Sequence, residues 1–309
     1  DAMSGIVTVS MEIELGWGVH DIGAFERLSI DGEAERDVLS DLLTTLDRTR
    51  IPITFDTVGH LLLDGCSGHH ESPHGNGWFR ADPGTDYRTD GLFYAPDMVA
   101  DIRSRSVDHE LCTHTFSHVL LDQVSADTCR WELDQVAAVH QRTIGQPPTS
   151  LVPPRHHLPS YDLLADYGIE VVRPAMATQT KTRRGRFAEL FAGPLPQSEI
   201  RRHDGIVETT CTTYPSLTAP ALPSGQGVPH PAFRYIPRSI RKRTHLRKLK
   251  RATRAAAADE GHLHLWCHLF DLCNPHQSAV VDDYFDWLAA FRDDNELTVA
   301  PMEDLPAYV

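Results

Sequence analysis

No run of about eighteen apolar residues occurs anywhere in the 309 positions, which excludes a membrane-spanning helix. No basic-then-apolar leader opens the chain either, so nothing in it reads as a mark for secretion. Cysteine is scarce: six residues, all placed singly and without a CxxC pair. That scatter argues against a disulfide-stapled domain and for free thiols in a reducing cytoplasm, the compartment expected here. Positive charge is also short, with 29 Lys and Arg against 43 Asp and Glu, for a net charge of −14. So acidic a body disfavours nucleic acid as a partner. The cations that do exist are concentrated. Residues 234–254, RYIPRSIRKRTHLRKLKRATR, hold ten of them and no acid. The ordinary reading is a solvated helix face with Ile240, Leu246 and Leu249 as its apolar stripe; the alternative is a surface that meets an anionic ligand.

What is abundant is the material of a sizeable core, 41% hydrophobic with 23% charged residues. Apolar or β-branched runs at 6–12, 52–58, 109–113, 150–153, 169–173, 206–211, 263–267 and 297–300 alternate with helical patterns. The helices are expected at 34–49, 97–105, 125–143, 160–167, 239–258 and 280–292, with Ser125 as the N-cap of the third. Such β-α alternation over the whole length predicts a parallel α/β sheet or barrel. With no internal repeat and no Ser/Gly linker, residues 1–309 read as one domain. Irregular stretches at 64–95 and 175–205 read as loop insertions that cover or shape a site.

Two short segments carry candidate chemistry. In SMEIELGWG, residues 10–18, Glu12 and Glu14 share one face of a predicted strand, where two carboxylates repel unless a cation or a proton holds them. In ELCTHTFSH, residues 110–118, His114 and His118 stand four apart, which predicts both imidazoles on one side of a helical turn after a strand. A carboxylate with two histidines is a common hydrolytic metal set. Glu14, His114 and His118 are therefore the candidate ligands, and Glu12 the candidate base beside them. Trp17 either floors a pocket by ring stacking or packs. Asp56, in a TFD that lies on the second strand, is rejected as a ligand but can face the pocket. His264 reads as core or as support for the site. His69, His70 and His74, in a Gly/Pro-rich loop, read as solvated.

Together with VPPRHHLPSYDLLADYGIEVVRP (152–174) and LHLWCHLF (263–270), these motifs resemble, in order along the chain, the polysaccharide deacetylases of the NodB-homology group, carbohydrate esterase family four. The likeness is nearest to its intracellular-type branch. The resemblance implies a distorted (β/α) barrel of seven or eight strands and a divalent metal, zinc foremost, with cobalt, nickel, manganese or iron as substitutes. It implies Glu12 as base, Arg155 as the arginine that orients it, and His268 as general acid with Leu265 and Trp266 around it. Trp17, His156 and Trp266 become the substrate-contact candidates. Two departures stand out: the base position is normally Asp, and His156 and His157 follow Arg155 where relatives often have Asn. The implied activity is metal-dependent deacetylation of an N-acetylamino sugar or sugar conjugate, a small-molecule partner. Hydrolysis of a non-sugar amide or cyclic imide, or a metal-retaining binding module without turnover, are the alternatives.

Overall fold

The computed structural model describes residues 5–75, 77–176 and 183–309. Its centre is a sheet of nine strands that curls into a nearly closed barrel: β1 (Gly5–Ile13), β2 (Thr54–Thr57), β3 (Glu110–Thr113), β4 (Ser150–Leu151), β5 (Val171–Val172), β6 (Ile200–His203), β7 (Ile206–Thr209), β8 (His262–His268) and β9 (Leu297–Val299). The order is β6-β7-β5-β4-β3-β2-β1-β8, every pairing parallel except β6 on β7. β9 pairs with the first half of β1, and β2 with its second half. The ring closes through Ser198, which bridges to His262 just ahead of β6. Its N–H donates to the His262 carbonyl at 2.7 Å, and its hydroxyl accepts from the His264 N–H at 2.7 Å.

Alternation along the strands sorts side chains between the barrel lumen and the helical coat. On β1, Val7, Val9, Met11 and Ile13 join the main hydrophobic core, while Ser10 and Glu12 meet His264 and His268 of β8. On β8, Leu263, Leu265 and Cys267 likewise join the core, so the four residues of even number, His262, His264, Trp266 and His268, face the other way. The lumen is thus polar and the coat apolar. Outside it, Leu39, Leu42, Leu43 and Leu46 of α1 (Glu33–Thr49) share that core with Val281, Tyr284, Phe285 and Leu288 of α7 (Pro275–Asp294).

The remaining helices are α2 (Pro96–Arg103), α3 (Ala126–Thr143), α4 (Tyr161–Asp166), α5 (Arg183–Ala192) and α6 (Arg238–Ala258). Ser125 caps α3 as expected, accepting from the Thr128 N–H at 3.1 Å. The stretch 175–205 is not wholly irregular, since α5 and β6 lie in it; residues 177–182 fall outside the described residues. Helix α6 keeps Leu249 and, half-buried, Leu246 of its expected stripe but not Ile240. Ile240 is half exposed, and the buried face is Arg241, His245, Lys248, Leu249, Ala252, Thr253 and Ala256. Two cations tolerate burial there because each reaches a carbonyl: Arg241 donates to that of Ala221 at 2.7 Å and Lys248 to that of Glu189 at 3.0 Å. Among the described residues no helix is long and apolar enough to cross a membrane.

The α1–α7 contact carries much of the coat. Leu46→Ala, at a fully buried position, should lower unfolding free energy by about 2–5 kcal/mol in a denaturant titration, and a loss under about 1 kcal/mol would show that this seam is not close-packed.

Candidate active site

The C-terminal ends of β1, β3, β5 and β8 bring six side chains together. Glu14, just past β1, places its Oε1 3.1 Å from the Nε2 of both His114 and His118. Those three donor atoms lie within 4.8 Å of one another, as do atoms of Glu12, Glu14 and His268. Glu12 is held from two sides. Its Oε1 accepts from the Arg173 guanidinium, and its Oε2 lies 3.0 Å from His268 Nε2. Arg173, fully buried at the end of β5, also donates to Ser10 Oγ at 2.5 Å and lies over the Trp266 ring at 4.8 Å. His268 Nδ1 in turn lies 3.4 Å from Asp271, whose carboxylate also accepts from the His268 backbone N–H at 3.3 Å. Asp271 therefore both caps the turn and steadies the imidazole.

The backbone at this rim is strained. Leu15, Thr115, His118, Arg155 and His156 are non-glycine residues with φ of 45°, 62°, 63°, 49° and 65°. The His114–His118 segment is consequently a loop and not the helical turn expected from the spacing. Its shape comes from α3: the Glu132 carboxylate accepts from the N–H of Phe116 at 2.8 Å and of Ser117 at 2.9 Å, folding the chain back so that both imidazoles reach Glu14. Close approach matters at Gly18 as well, where a Cβ would fall 2.2 Å from Glu14 Oε2.

Electrostatics separate the groups. Burial works to raise the Glu12 carboxyl, but His268 and Arg173 hold it down to about 2. Burial also opposes protonation of His268, yet Glu12 and Asp271 push it well above the usual histidine range. Glu12 and His268 thus rest as carboxylate and imidazolium. Asp56 pairs in register with Glu12 on the neighbouring strand, and neither of its buried oxygens has a hydrogen-bond partner. Burial drives its pKa far up, and its Oδ2 lies 3.6 Å from His114 Nδ1, on the side away from Glu14. His114 is oriented by a hydrogen bond of 2.8 Å between Nδ1 and the Val152 carbonyl, which requires the proton on Nδ1. Its Nε2 lone pair then faces the Glu14 carboxylate, acceptor against acceptor, an arrangement that a divalent cation resolves. The donor set Glu14, His114 and His118 fits such an ion.

Several expectations change. Arg155 does not reach Glu12: it forms two bonds of 2.7 Å with Asp21 at the rim, and Arg173 holds the glutamate instead. Trp17 cannot floor a pocket, being fully buried among His60, Phe79 and Phe93 with its indole N–H donated to the Phe93 carbonyl. Trp266 is nearly as buried; Arg173 covers its ring and its N–H goes to the Thr212 carbonyl at 2.7 Å. It supports the arginine and offers no face to a sugar. His156 stands half-buried, edge-on to Trp266 at 5.4 Å, and burial, with Arg173 nearby, lowers it to about 4. His264 takes the supporting place expected of it, bonded to Ser10 and Thr209. His69 is exposed, but His70 and His74 are not solvated, lying against Asp82 and Glu132 respectively. Lys248 and His245 of α6 line a cavity of about 970 Å³ that includes none of the six clustered side chains.

A family model described as polysaccharide deacetylase matches residues 27–172. The chain carries a polysaccharide deacetylase domain. It is accordingly a hydrolase of the deacetylase type, acting on amide bonds. Among curated proteins, none matches the sequence. Among solved structures, the deacetylase domain is similar to a Mycobacterium smegmatis protein assigned as a polysaccharide deacetylase, with 15% identity, TM-score 0.64, and 100% of this chain and 91% of that one covered. A Pseudomonas aeruginosa PAO1 protein assigned to the same class gives 13%, 0.57, 97% and 89%. Puue allantoinase gives 11%, 0.56, 97% and 88%. At such identities the likeness is one of fold. The model match contains His114 and His118 but not Glu12, Glu14, Arg173 or His268, so those four rest on the geometry.

The two arginines are separable by experiment. Arg173→Met strands a buried Glu12 and should cost about 3–5 kcal/mol in urea unfolding. Arg155→Ala, which breaks a pair at the rim, should cost under about 1 kcal/mol. Equal losses would remove Arg173 from its place as the partner of Glu12.

Proposed function

We propose that the domain is a metal-dependent N-deacetylase that hydrolyses the acetamide of an N-acetylamino sugar or sugar conjugate. The observation that carries the reading is Glu12, clamped between Arg173 and His268 beside the convergent Glu14, His114 and His118. A divalent cation held by those three residues, zinc foremost, would acidify water toward a pKa of about 7 and polarise the amide carbonyl. Glu12, kept ionised by Arg173, takes the proton of the attacking water. His268, protonated and oriented by Asp271, delivers a proton to the nitrogen as the C–N bond breaks, because an amide anion is too basic to leave alone. The products are acetate and a free amine. Arg173 acts through Glu12 as a positioning residue, with Trp266, Ser10 and His264 behind it. His156 is the remaining contact candidate for the sugar. The six free cysteines suit a reducing cytoplasm.

A second reading has one specific feature in its favour. Glu12 is a methylene longer than the usual aspartate, extending its reach by about 1.5 Å, which suits a substrate seated further from the strand. Puue allantoinase shares the fold, and a non-sugar amide or cyclic imide is the corresponding substrate class.

Amine release from N-acetylated sugars, measured against ring opening of cyclic imides with zinc or cobalt added, separates the two. The sugars should turn over and the imides should not. Turnover of imides alone would replace the first reading by the second, and no turnover in a metal-loaded protein would make the domain a binding module. Two variants test the residue roles. His114→Ala should lose metal and activity together by elemental analysis and assay. Glu12→Gln should keep its metal while the rate falls by about 10²–10⁴-fold; an unchanged rate would remove Glu12 as base.

A further inference from the structure

A second group of metal-ligating side chains lies outside the site just described and shares no residue with it. His60, in the short turn Gly59–Leu62 after β2, faces Cys66, His70 and Asp82, all three from the long insertion that follows. One donor atom from each lies within 4.8 Å of every other. Asp82 Oδ2 is 3.1 Å from His60 Nε2, 2.7 Å from His70 Nε2 and 3.1 Å from Cys66 Sγ. Cys66 Sγ is 3.7 Å from His60 Nε2 and 3.8 Å from His70 Nε2. Four ligands at ordinary zinc bond lengths, disposed tetrahedrally, stand about 3.3–3.6 Å apart. The observed separations bracket that range, and the largest change needed is a widening of the His70–Asp82 pair by about 0.6 Å.

The surroundings leave these four atoms free to converge. His60 Nδ1 lies 3.1 Å from the Phe93 carbonyl, a bond that requires the proton on Nδ1 and turns the Nε2 lone pair toward Asp82 and Cys66. His114 is oriented in the same way by the Val152 carbonyl at the first site. Asp82 spends its other oxygen on Tyr94, whose hydroxyl donates at 2.6 Å, and on the Gly84 N–H at 3.1 Å. The Gly68 N–H donates to Cys66 Sγ at 3.2 Å, an orientation suited to a thiolate. Partners outside the first ring of ligands are what fix ligands for a metal. The side chains of His60 and Asp82 are inaccessible and that of His70 is 10% exposed. Cys66 Sγ donates to Asp82 Oδ2, and a divalent cation bound among the four would displace that thiol proton and neutralise thiolate and carboxylate together.

We propose that His60, Cys66, His70 and Asp82 form a second, structural zinc site that anchors the 64–95 insertion to the barrel. Between Asp64 and Ala95 the described residues include no α-helix or β-strand, only one short 3₁₀ turn and an isolated bridge, so side-chain contacts hold the segment, among them Trp78 donating to Ser117 Oγ at 2.8 Å and His74 3.0 Å from Glu132, and the ion would add to these. The anchor also reaches the first site from behind. The Trp17 ring, three residues beyond Glu14, packs on the His60 ring at 4.5 Å. The N–H groups of Gly59 and His60 donate to the carbonyls of Thr115 and Phe116, between His114 and His118, at 2.8 and 2.9 Å. An ion at His60 would therefore brace both segments that carry the first set of ligands.

Cobalt(II) distinguishes the two sites, because only the second offers sulfur. Chelator-stripped wild-type protein titrated with cobalt(II) should develop sulfur-to-cobalt charge-transfer absorption in the near ultraviolet, saturating at one ion per chain. His114→Ala should keep that band, and Cys66→Ser should lose it. Zinc should raise the melting temperature of His114→Ala and leave that of the double variant His114→Ala, Cys66→Ser unmoved. No band in the wild type, or one that persists in Cys66→Ser, would overturn the proposal. Should Cys66→Ser fail to fold, His70→Ala at the accessible edge takes its place. With a native far-ultraviolet circular dichroism spectrum, it should bind cobalt at least about tenfold more weakly at the charge-transfer band, and unchanged affinity would equally overturn the proposal. Loss of the first site leaves every one of these readings intact.

Discussion

A guanidinium sealed inside a barrel is the constraint around which this molecule is arranged. Arg173 cannot shed its charge, and water does not reach it, so the lumen must answer it with acceptors. Glu12 supplies the opposite charge, Ser10 a hydroxyl, and Trp266 the electron-rich face of its ring. Burial pushes the Asp56 carboxyl well up although Arg173 lies 4.0 Å away, and the Glu12 charge that already meets the cation adds to the rise. From that pairing a continuous polar chain extends both ways. Thr209 and Ser10 bind the two nitrogens of His264 on one side, and His268 and Asp271 continue from Glu12 on the other. Orientation of the reactive carboxylate is thereby inherited from the barrel wall and not from a surface loop.

The polar lumen also explains how an amide hydrolase can be built on strands that read as ordinary core. Each β1 residue is buried, yet alternate residues meet quite different surroundings. The outward set packs beneath α1, α6 and α7 and stabilises the coat. The inward set spends that stability on holding charges in fixed positions, the usual relation between scaffold and site. At the rim, strained residues take over. The loops after β1 and β3 and the turn at 154–156 hold left-handed conformations in residues that resist them, and these are the places where Glu14, His114 and His118 converge.

How much of this could be read beforehand varied with the kind of signal. Period-two alternation is sufficient to place Glu12 on the polar face of β1, but Glu14 lies past the strand's end in the turn that follows and does not share that strand face; a serine before a helical pattern is sufficient to cap α3. The four-residue spacing of His114 and His118 identified the right pair but the wrong backbone, because spacing alone does not distinguish a helical turn from a loop pulled back by a distant Glu132. Arg173 lay in plain view at the end of the VVRP segment. An arginine after two valines reads only as a strand terminus, and the Ser10 and Glu12 it meets lie about 160 positions earlier in the chain. Strand β6, spelled IRRH, is hidden for a related reason: an antiparallel edge with polar side chains has no apolar signature. In the 64–95 segment the glycines and prolines correctly signalled irregular backbone, but irregular backbone does not imply solvated side chains, and His70 and His74 are both enclosed.

The close approach at Gly18 has a consequence for how such a site can be lost. Its backbone dihedrals do not demand glycine; the demand comes from the carboxylate of Glu14, which occupies the volume a side chain would need. One extra methyl would push that carboxylate aside while leaving every acid, imidazole and guanidinium in the protein chemically intact. A silent descendant of this fold therefore need not betray itself at any charged position. A reader searching for decayed relatives should inspect the small residue four places downstream before counting the acids.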